Sequence, residues 1–160
     1  CEPGAVRSPD GGEIAVLLRE NRRLGASYLI TSVDEGRTWS APRALDAGLT
    51  GDRHVLRYGP DGRLFATFRD MGPQSATKGD WVGWVGTWTD LVEGRPGQYR
   101  LRFMDNADAW DSTYPGVELL PDGTFVTTTY GHWVRGAEPY IVSVRFTLAE
   151  LDARAREAGR

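Results

Sequence analysis

The tripeptide Pro-Asp-Gly occurs three times in this chain, anchored at Pro9, Pro60 and Pro121, each time in the same surroundings. The segments "CEPGAVRSPDGGEIAVLLREN" from Cys1, "GDRHVLRYGPDGRLFATFRDM" from Gly51 and "STYPGVELLPDGTFVTTTYGHW" from Ser112 share one grammar: a short strand, a tight turn, a β-rich return strand. Proline presets φ at the second turn position, aspartate folds its carboxylate back onto the backbone, and glycine accepts a left-handed conformation. A recurring unit constrains the fold more than any local propensity, because each copy needs a neighbour to bury its apolar face.

A third strand follows in every copy, at 26–33 ("ASYLITSV"), 80–88 ("DWVGWVGTW") and 139–146 ("PYIVSVRF"); a fourth is readable in the first two, around "PRALDA" and "QYRLRFMD". The unit is a four-stranded antiparallel meander of roughly 50 to 60 residues, the size of a β-propeller blade. The expectation is an all-β partial propeller over residues 1–160, with blades at about 1–50, 51–111 and 112–147 and the third lacking its fourth strand. A propeller closes with at least about four blades, so further blades of the same chain are expected to complete the ring. The opening "CEPGAV", without methionine and directly at a strand, fits a piece of a longer chain. The tail "TLAELDARAREAGR" is predicted to be the one helix, amphipathic and short, over about 147–158.

Composition narrows the partners. No apolar run reaches the roughly 18 residues of a membrane span, and no charged-then-apolar leader opens the sequence. The single cysteine, Cys1, allows no internal disulfide, and no metal-ligand spacing is present. A net charge of −3 lacks the basic field that drives phosphate-backbone binding, so nucleic acid is not an expected partner. Arginine dominates the cations, Lys78 being the only lysine. That bias suits geometric recognition of carboxylates, and a GC-rich genome produces it equally well.

Between the third and fourth strands of the first unit lies "SVDEGRTW", which fits S-x-D-x-G-x-T-W at Ser32, Asp34, Gly36, Thr38 and Trp39. Its chemistry is structural: Asp34 accepts backbone N–H bonds, Gly36 supplies a left-handed residue and Trp39 an apolar anchor. This Asp-box sets a fold and not a function. The corresponding segment of the second unit, "TWTDLVEGRPGQY", has lost the pattern.

Seven positions before each anchor proline stand Glu2, Arg53 and Tyr114, and the second strands end at Arg19, Arg69 and Tyr130. In an antiparallel meander these two sets lie at the same edge of the blade. If first strands line the axis, a glutamate, three arginines and two tyrosines converge on one mouth. His54 and His132 are read as hydrogen-bonding residues of loops, and the tryptophans of "DWVGWVGTW" as packing, with Trp81 near enough to the mouth to stack on a ligand.

These residues resemble the exo-α-sialidase (neuraminidase) family, six-bladed Asp-box (BNR-repeat) propellers. There a Glu-Pro-x-x-V strand, a DG turn, a strand ending in arginine and an Asp-box follow in order, as "EPGAVRSPDGGEIAVLLRE…SVDEGRTW" does here, and a later tyrosine opens a strand as in "YPGVELLPDG". The resemblance implies that Tyr114 is the nucleophile, Glu2 the carboxylate that activates it, and Arg19 one of three arginines holding a substrate carboxylate. It implies a sialylated or other acidic glycan as substrate and no metal or organic cofactor. The family's acid catalyst and first arginine would precede Cys1, so the chain alone is expected to be inactive. Where the family has its third arginine this chain reads "KGDWVGW"; Arg69 is preferred as the replacement, with Arg53 the other choice. Asp52 and Asp70 are candidate acceptors for sugar hydroxyls. A tyrosine nucleophile suits a sugar whose anomeric carbon carries a carboxylate, because an attacking Asp or Glu would meet like charge. A phenol near its usual pKa of about 10 needs a base within reach. Two rivals remain open: a non-catalytic propeller that binds glycan or protein, and a hydrolase of a different acidic sugar.

Overall fold

The computed structural model describes residues 2–108 and 111–159. Three antiparallel sheets follow one another along the chain, each with its strands in sequence order. The first holds β1 (Gly4–Arg7), β2 (Ile14–Leu18), β3 (Tyr28–Ser32) and β4 (Arg43–Ala44). The second holds β5 (Gly51–Tyr58), β6 (Leu64–Asp70), β7 (Trp81–Gly86) and β8 (Tyr99–Met104). The third has three strands, β9 (Gly116–Leu119), β10 (Phe125–Gly131) and β11 (Tyr140–Phe146). All three Pro-Asp-Gly triads form the turn between first and second strands, closed by N–H bonds from Gly11 to Ser8, Gly62 to Gly59 and Gly123 to Leu120.

The sheets fan around their first strands: β5 packs beside both β1 and β9. Their approach is close enough that a Cβ on Gly4 would sit 2.2 Å from the His54 carbonyl oxygen, which only glycine avoids. Packing explains the sequence of β6, "LFATFRD", which is buried at every position, whereas β10 alternates. Leu64, Ala66 and Phe68 fill the seam with the first sheet, together with Leu17, Leu29 and Trp84. Phe65 turns the other way and joins Phe125, Phe146, Leu148 and Leu151 in the seam with the third. Each such side chain contributes about 1.5–3 kcal/mol by leaving water.

Two α-helices occur among the described residues, where the sequence reading expected one. The third strand of the second unit stops at Gly86, and Thr87 caps α1 (Trp88–Glu93) in place of an Asp-box turn. The reason is local: Thr87 and Asp90 form a reciprocal capping box, and Gly94, at φ 70°, ends the helix. The tail helix α2 (Leu148–Ala158) starts at the equivalent Thr147–Glu150 box. It is pinned to the second sheet by Asp152, which accepts from Arg63 at 2.8 and 3.0 Å and from the Tyr99 hydroxyl at 2.6 Å. Among the described residues no helix is long and apolar enough to cross a membrane.

Candidate active site at the mouth of the sheets

Glu2 and Tyr114, 112 positions apart in the chain, meet where β1 and β9 begin: the Tyr114 hydroxyl donates to Glu2 Oε1 at 3.0 Å. The other carboxylate oxygen of Glu2 receives Arg19 Nη1 at 2.5 Å and lies 3.1 Å from Arg53 Nε. Arg53 also lays its guanidinium 3.4 Å above the centre of the Tyr114 ring, an attractive approach of a cation to the face of a phenol. Tyr130 lies nearly parallel on the ring, centroids 6.1 Å apart. Tyr114 keeps 54 % of its surface exposed, so its oxygen is reachable from solvent. Burial pushes the Glu2 carboxyl up, but the hydrogen bonds from Arg53 and Tyr114 and the charges of Arg53 and Arg19 outweigh it and hold the group below its ordinary value. Glu2 is therefore ionised at neutral pH and accepts the phenol's proton in the hydrogen bond.

Behind this pair lies Asp52, which has no exposed surface. Its carboxylate takes Arg69 Nη2 at 2.6 Å and Arg23 Nη2 at 2.8 Å, with Arg19 Nε at 4.0 Å. Asp52 was a candidate acceptor for sugar hydroxyls; the structure corrects this, because a sealed carboxylate can act only on the arginines around it. Arg69, preferred from sequence as the replacement carboxylate ligand, is 2 % exposed and lies inside the wall. Arg53, its side chain 14 % exposed, lies nearer the opening of the mouth instead. Arg23 carried no signal in the sequence: it follows the second strand in a turn, at φ 55°, and only the fold brings it to Asp52. The regular ladder of β5 and β6 breaks between Asp52 and Val55, at the point where Arg53 takes its left-handed conformation.

Three non-glycine residues adopt left-handed backbone where the first strands begin: Glu2 at φ 44°, Arg53 at 63° and Thr113 at 62°. For a β-branched threonine this is a genuine outlier, costing about 1–3 kcal/mol and surviving only where neighbours over-determine it.

Other residues divide between mouth and scaffold. The Tyr130 hydroxyl donates to Asp111 Oδ1 at 2.8 Å, and His132 Nε2 lies 3.1 Å from Asp111 Oδ2. That bond raises the His132 pKa, and the bonds from Tyr130 and His132 lower that of Asp111. Asp111, in a connection without recurring pattern, was missed by sequence reasoning. His54 is no loop residue: it is buried in β5, stacked on Phe68, with Nε2 2.8 Å from the Leu49 carbonyl, and burial lowers its pKa to about 4. Trp81 is fully buried against Phe103 and Trp133 and donates to Thr67, so it cannot stack on a ligand. Asp70, also fully buried, binds the Gly72 amide, the Thr77 hydroxyl and Arg100, organising a loop and not a sugar.

In the turn after β3 Asp34 accepts from Ser32, from the Thr38 amide at 2.8 Å and from the Thr38 hydroxyl at 2.7 Å, with Gly36 at φ 79°. Trp39 is 42 % exposed and covers Gly36, so it caps the turn and does not anchor a core. Among the described residues no group of three or more His, Cys, Asp or Glu side chains is arranged to hold a metal ion.

No protein-family model and no curated protein matches this chain. Among solved structures, a protein of unknown function from Dyadobacter fermentans superposes with TM-score 0.70 at 19 % identity, over 89 % of this chain and 36 % of that one. A xylan β-1,4-xylosidase from Bacillus halodurans gives TM-score 0.54 at 14 % identity, over 90 % of this chain and 27 % of that one. An endo-arabinase from Bacteroides thetaiotaomicron gives 0.57 at 13 %, over 91 % and 56 %. This chain thus spans between 27 % and 56 % of the length of these three. At such identities the likeness is one of fold: an all-β, propeller-like succession of antiparallel sheets that also occurs in glycosidases.

Proposed function

We propose that this chain forms the C-terminal part of a six-bladed propeller, blades at about 1–50, 51–111 and 112–147, in a retaining glycoside hydrolase that removes a terminal sialic or related acidic sugar. The observation that carries the reading is the Tyr114 hydroxyl 3.0 Å from the Glu2 carboxylate under an arginine guanidinium. Tyr114 oxygen bonds to the anomeric carbon while its proton passes to Glu2. The glycosidic C–O bond breaks, and an acid from elsewhere in the protein protonates the leaving oxygen. Water then hydrolyses the tyrosyl-glycoside and restores the phenol, so two displacements retain configuration.

Two of the solved structures named above are, by their names, a xylosidase and an arabinase, which favours glycan hydrolysis as the reaction class. The charges at this mouth favour an anionic sugar: Arg19, Arg23, Arg53 and Arg69 are set against Glu2 and Asp52, leaving a positive surplus for a substrate carboxylate. Arg19 and Arg53, both partly exposed, are its direct ligands. Tyr130 forms a wall of the pocket.

One observation favours a second reading. The arginines that hold Glu2 ionised also make it a weak base, as suits a propeller that binds acidic glycans without turnover. A substrate carboxylate that draws Arg19 and Arg53 away would raise the basicity of Glu2 when it is needed.

The two readings separate in a panel of aryl glycosides of sialic acid, a uronic acid, xylose and arabinose, assayed on the intact protein. The hydrolase reading expects turnover of an acidic glycoside alone, with kcat falling about a thousandfold or more in Tyr114→Phe. Tight binding of acidic sugars with no turnover of any glycoside establishes the second reading. Turnover of the pentosides alone overturns both.

A further inference from the structure

The segment ahead of Tyr114 is held far more tightly than its place in a connection requires. Ser112 and Thr113 are fully buried. The Ser112 hydroxyl donates to the Gly79 carbonyl at 3.0 Å, the Thr113 hydroxyl donates to Ser112 Oγ at 3.0 Å, and the Thr113 amide donates to the Tyr130 carbonyl at 2.9 Å. Two arginines of the second sheet close on the same backbone. Arg53 Nη1 donates to the Ser112 carbonyl at 2.8 Å and reaches the Thr113 carbonyl at 3.4 Å, and Arg69 Nη1 reaches the Ser112 carbonyl at 3.4 Å. Arg69 is fixed in turn by the sealed carboxylate of Asp52. The residue so clasped, Thr113, is the one at φ 62°.

We propose that Arg69, locked by Asp52, is a positioning residue: it grips the Ser112 carbonyl and helps hold Thr113 in its left-handed conformation, so that Tyr114 is aimed at Glu2 instead of following the strand. The proposal rests on the reading of Tyr114 as nucleophile and assigns Arg69 a task other than binding the sugar's carboxylate. The geometry requires the distinction. A guanidinium with 2 % exposure, one nitrogen on Asp52 and another toward a backbone carbonyl, is closed to a solvent-borne anion. Released from the clasp, a β-branched residue reverts to the extended region it prefers, and the following side chain swings off line. Arg53 unites both tasks, since one nitrogen lies near Glu2 and another on Ser112.

The test compares Arg69→Gln, Thr113→Gly and their double variant in the intact protein. Arg69→Gln is expected to lower kcat roughly a hundredfold while KM for the acidic glycoside changes less than about threefold, the pattern of a group that acts on the catalyst and not on the ground-state ligand. Adding Thr113→Gly, which accepts φ 62° without strain, is expected to restore roughly tenfold of the lost rate. A rise in KM with kcat unchanged, or no recovery in the double variant, overturns the proposal. Amide hydrogen exchange supplies a readout that needs no turnover. In Arg69→Gln the Thr113 amide is expected to exchange at least about tenfold faster, with the amides of β6 and β10 unchanged. Protection of Thr113 as in the parent overturns the clasp whether or not the protein proves to be a hydrolase. If Arg69→Gln does not fold, Asp52→Asn, which frees Arg69 without emptying the site, is read by the same exchange measurement with the same two outcomes.

Discussion

The two ends of the sheets solve the same geometric problem with opposite chemistry. At the turn end each sheet reverses through Pro-Asp-Gly, and the left-handed position of each such turn belongs to glycine: Gly11 at φ 80°, Gly62 at 80° and Gly123 at 85°. Each aspartate there satisfies a nearby amide, Asp10 that of Gly12, Asp61 that of Arg63 and Asp122 that of Thr124, in the open. At the mouth end, where the first strands begin, the left-handed positions belong to Glu2, Arg53 and Thr113, and the central carboxylate, Asp52, is sealed among arginines. The Pro-Asp-Gly turns use residues that need no support. The mouth uses residues that persist only because their neighbours compel them, which is the arrangement expected where side chains must be held for chemistry.

The comparison can be broken most sharply at the aspartates. Asp52→Ala leaves Arg69 buried without its counter-charge and is expected to lower unfolding free energy by about 3–5 kcal/mol. Asp61→Ala, at a solvated turn, is expected to cost about 1 kcal/mol or less. Urea unfolding of both variants checks this, and similar losses would erase the distinction between the ends.

Acid probes the mouth wall next. His54 is fully buried with its pKa lowered to about 4 by desolvation, against an ordinary value near 6.5 in the unfolded chain. Between these values the unfolded state binds a proton that the folded state refuses, so stability present above pH 6.5 is lost as the pH falls toward 4. The loss amounts to up to about 3 kcal/mol. His54→Phe is expected to remove that share of the acid sensitivity, measured as the change in urea midpoint between pH 7 and pH 4.5. An unchanged pH slope would place the titration elsewhere.

The smallest effect separates the left-handed positions themselves. Gly62→Ala puts a Cβ at φ 80° and is expected to destabilise by about 1–2 kcal/mol. Thr113→Gly relieves strain of similar size, which offsets the lost hydroxyl bond and the added chain entropy, so stability should stay within about 1 kcal/mol although a fully buried side chain is deleted. A loss above about 2 kcal/mol at Thr113 would mean that the residue is not strained.

Much of this geometry could be read from the three prolines. Counting back from Pro9 and Pro121 brings Glu2 and Tyr114 to the same edge, and they lie 3.0 Å apart. The count also places Arg53 correctly beside Glu2 and Tyr114, but burial is not a matter of register: Asp52, next to it, and Arg69, preferred as the ligand, are both sealed inside the wall. Arg23 and Asp111 lie in connections with no period, where only tertiary structure decides what a side chain meets. Trp81 packs as expected, without the option of stacking on a ligand, whereas Trp39, expected as an apolar anchor, caps a turn: aromatic residues suit both cores and turn caps, and burial distinguishes them only after the sheets have packed.

The most direct test of the Tyr114–Glu2 pair is to trap the covalent species. The intact protein is treated with a fluorinated sialic-acid probe, which slows hydrolysis of the glycosyl intermediate, and is then digested for mass spectrometry. The account predicts one sugar adduct, carried on the Tyr114 oxygen and absent from Tyr114→Phe. Turnover of an acidic glycoside with the adduct on a carboxylate such as Glu2 or Asp111 would contradict it.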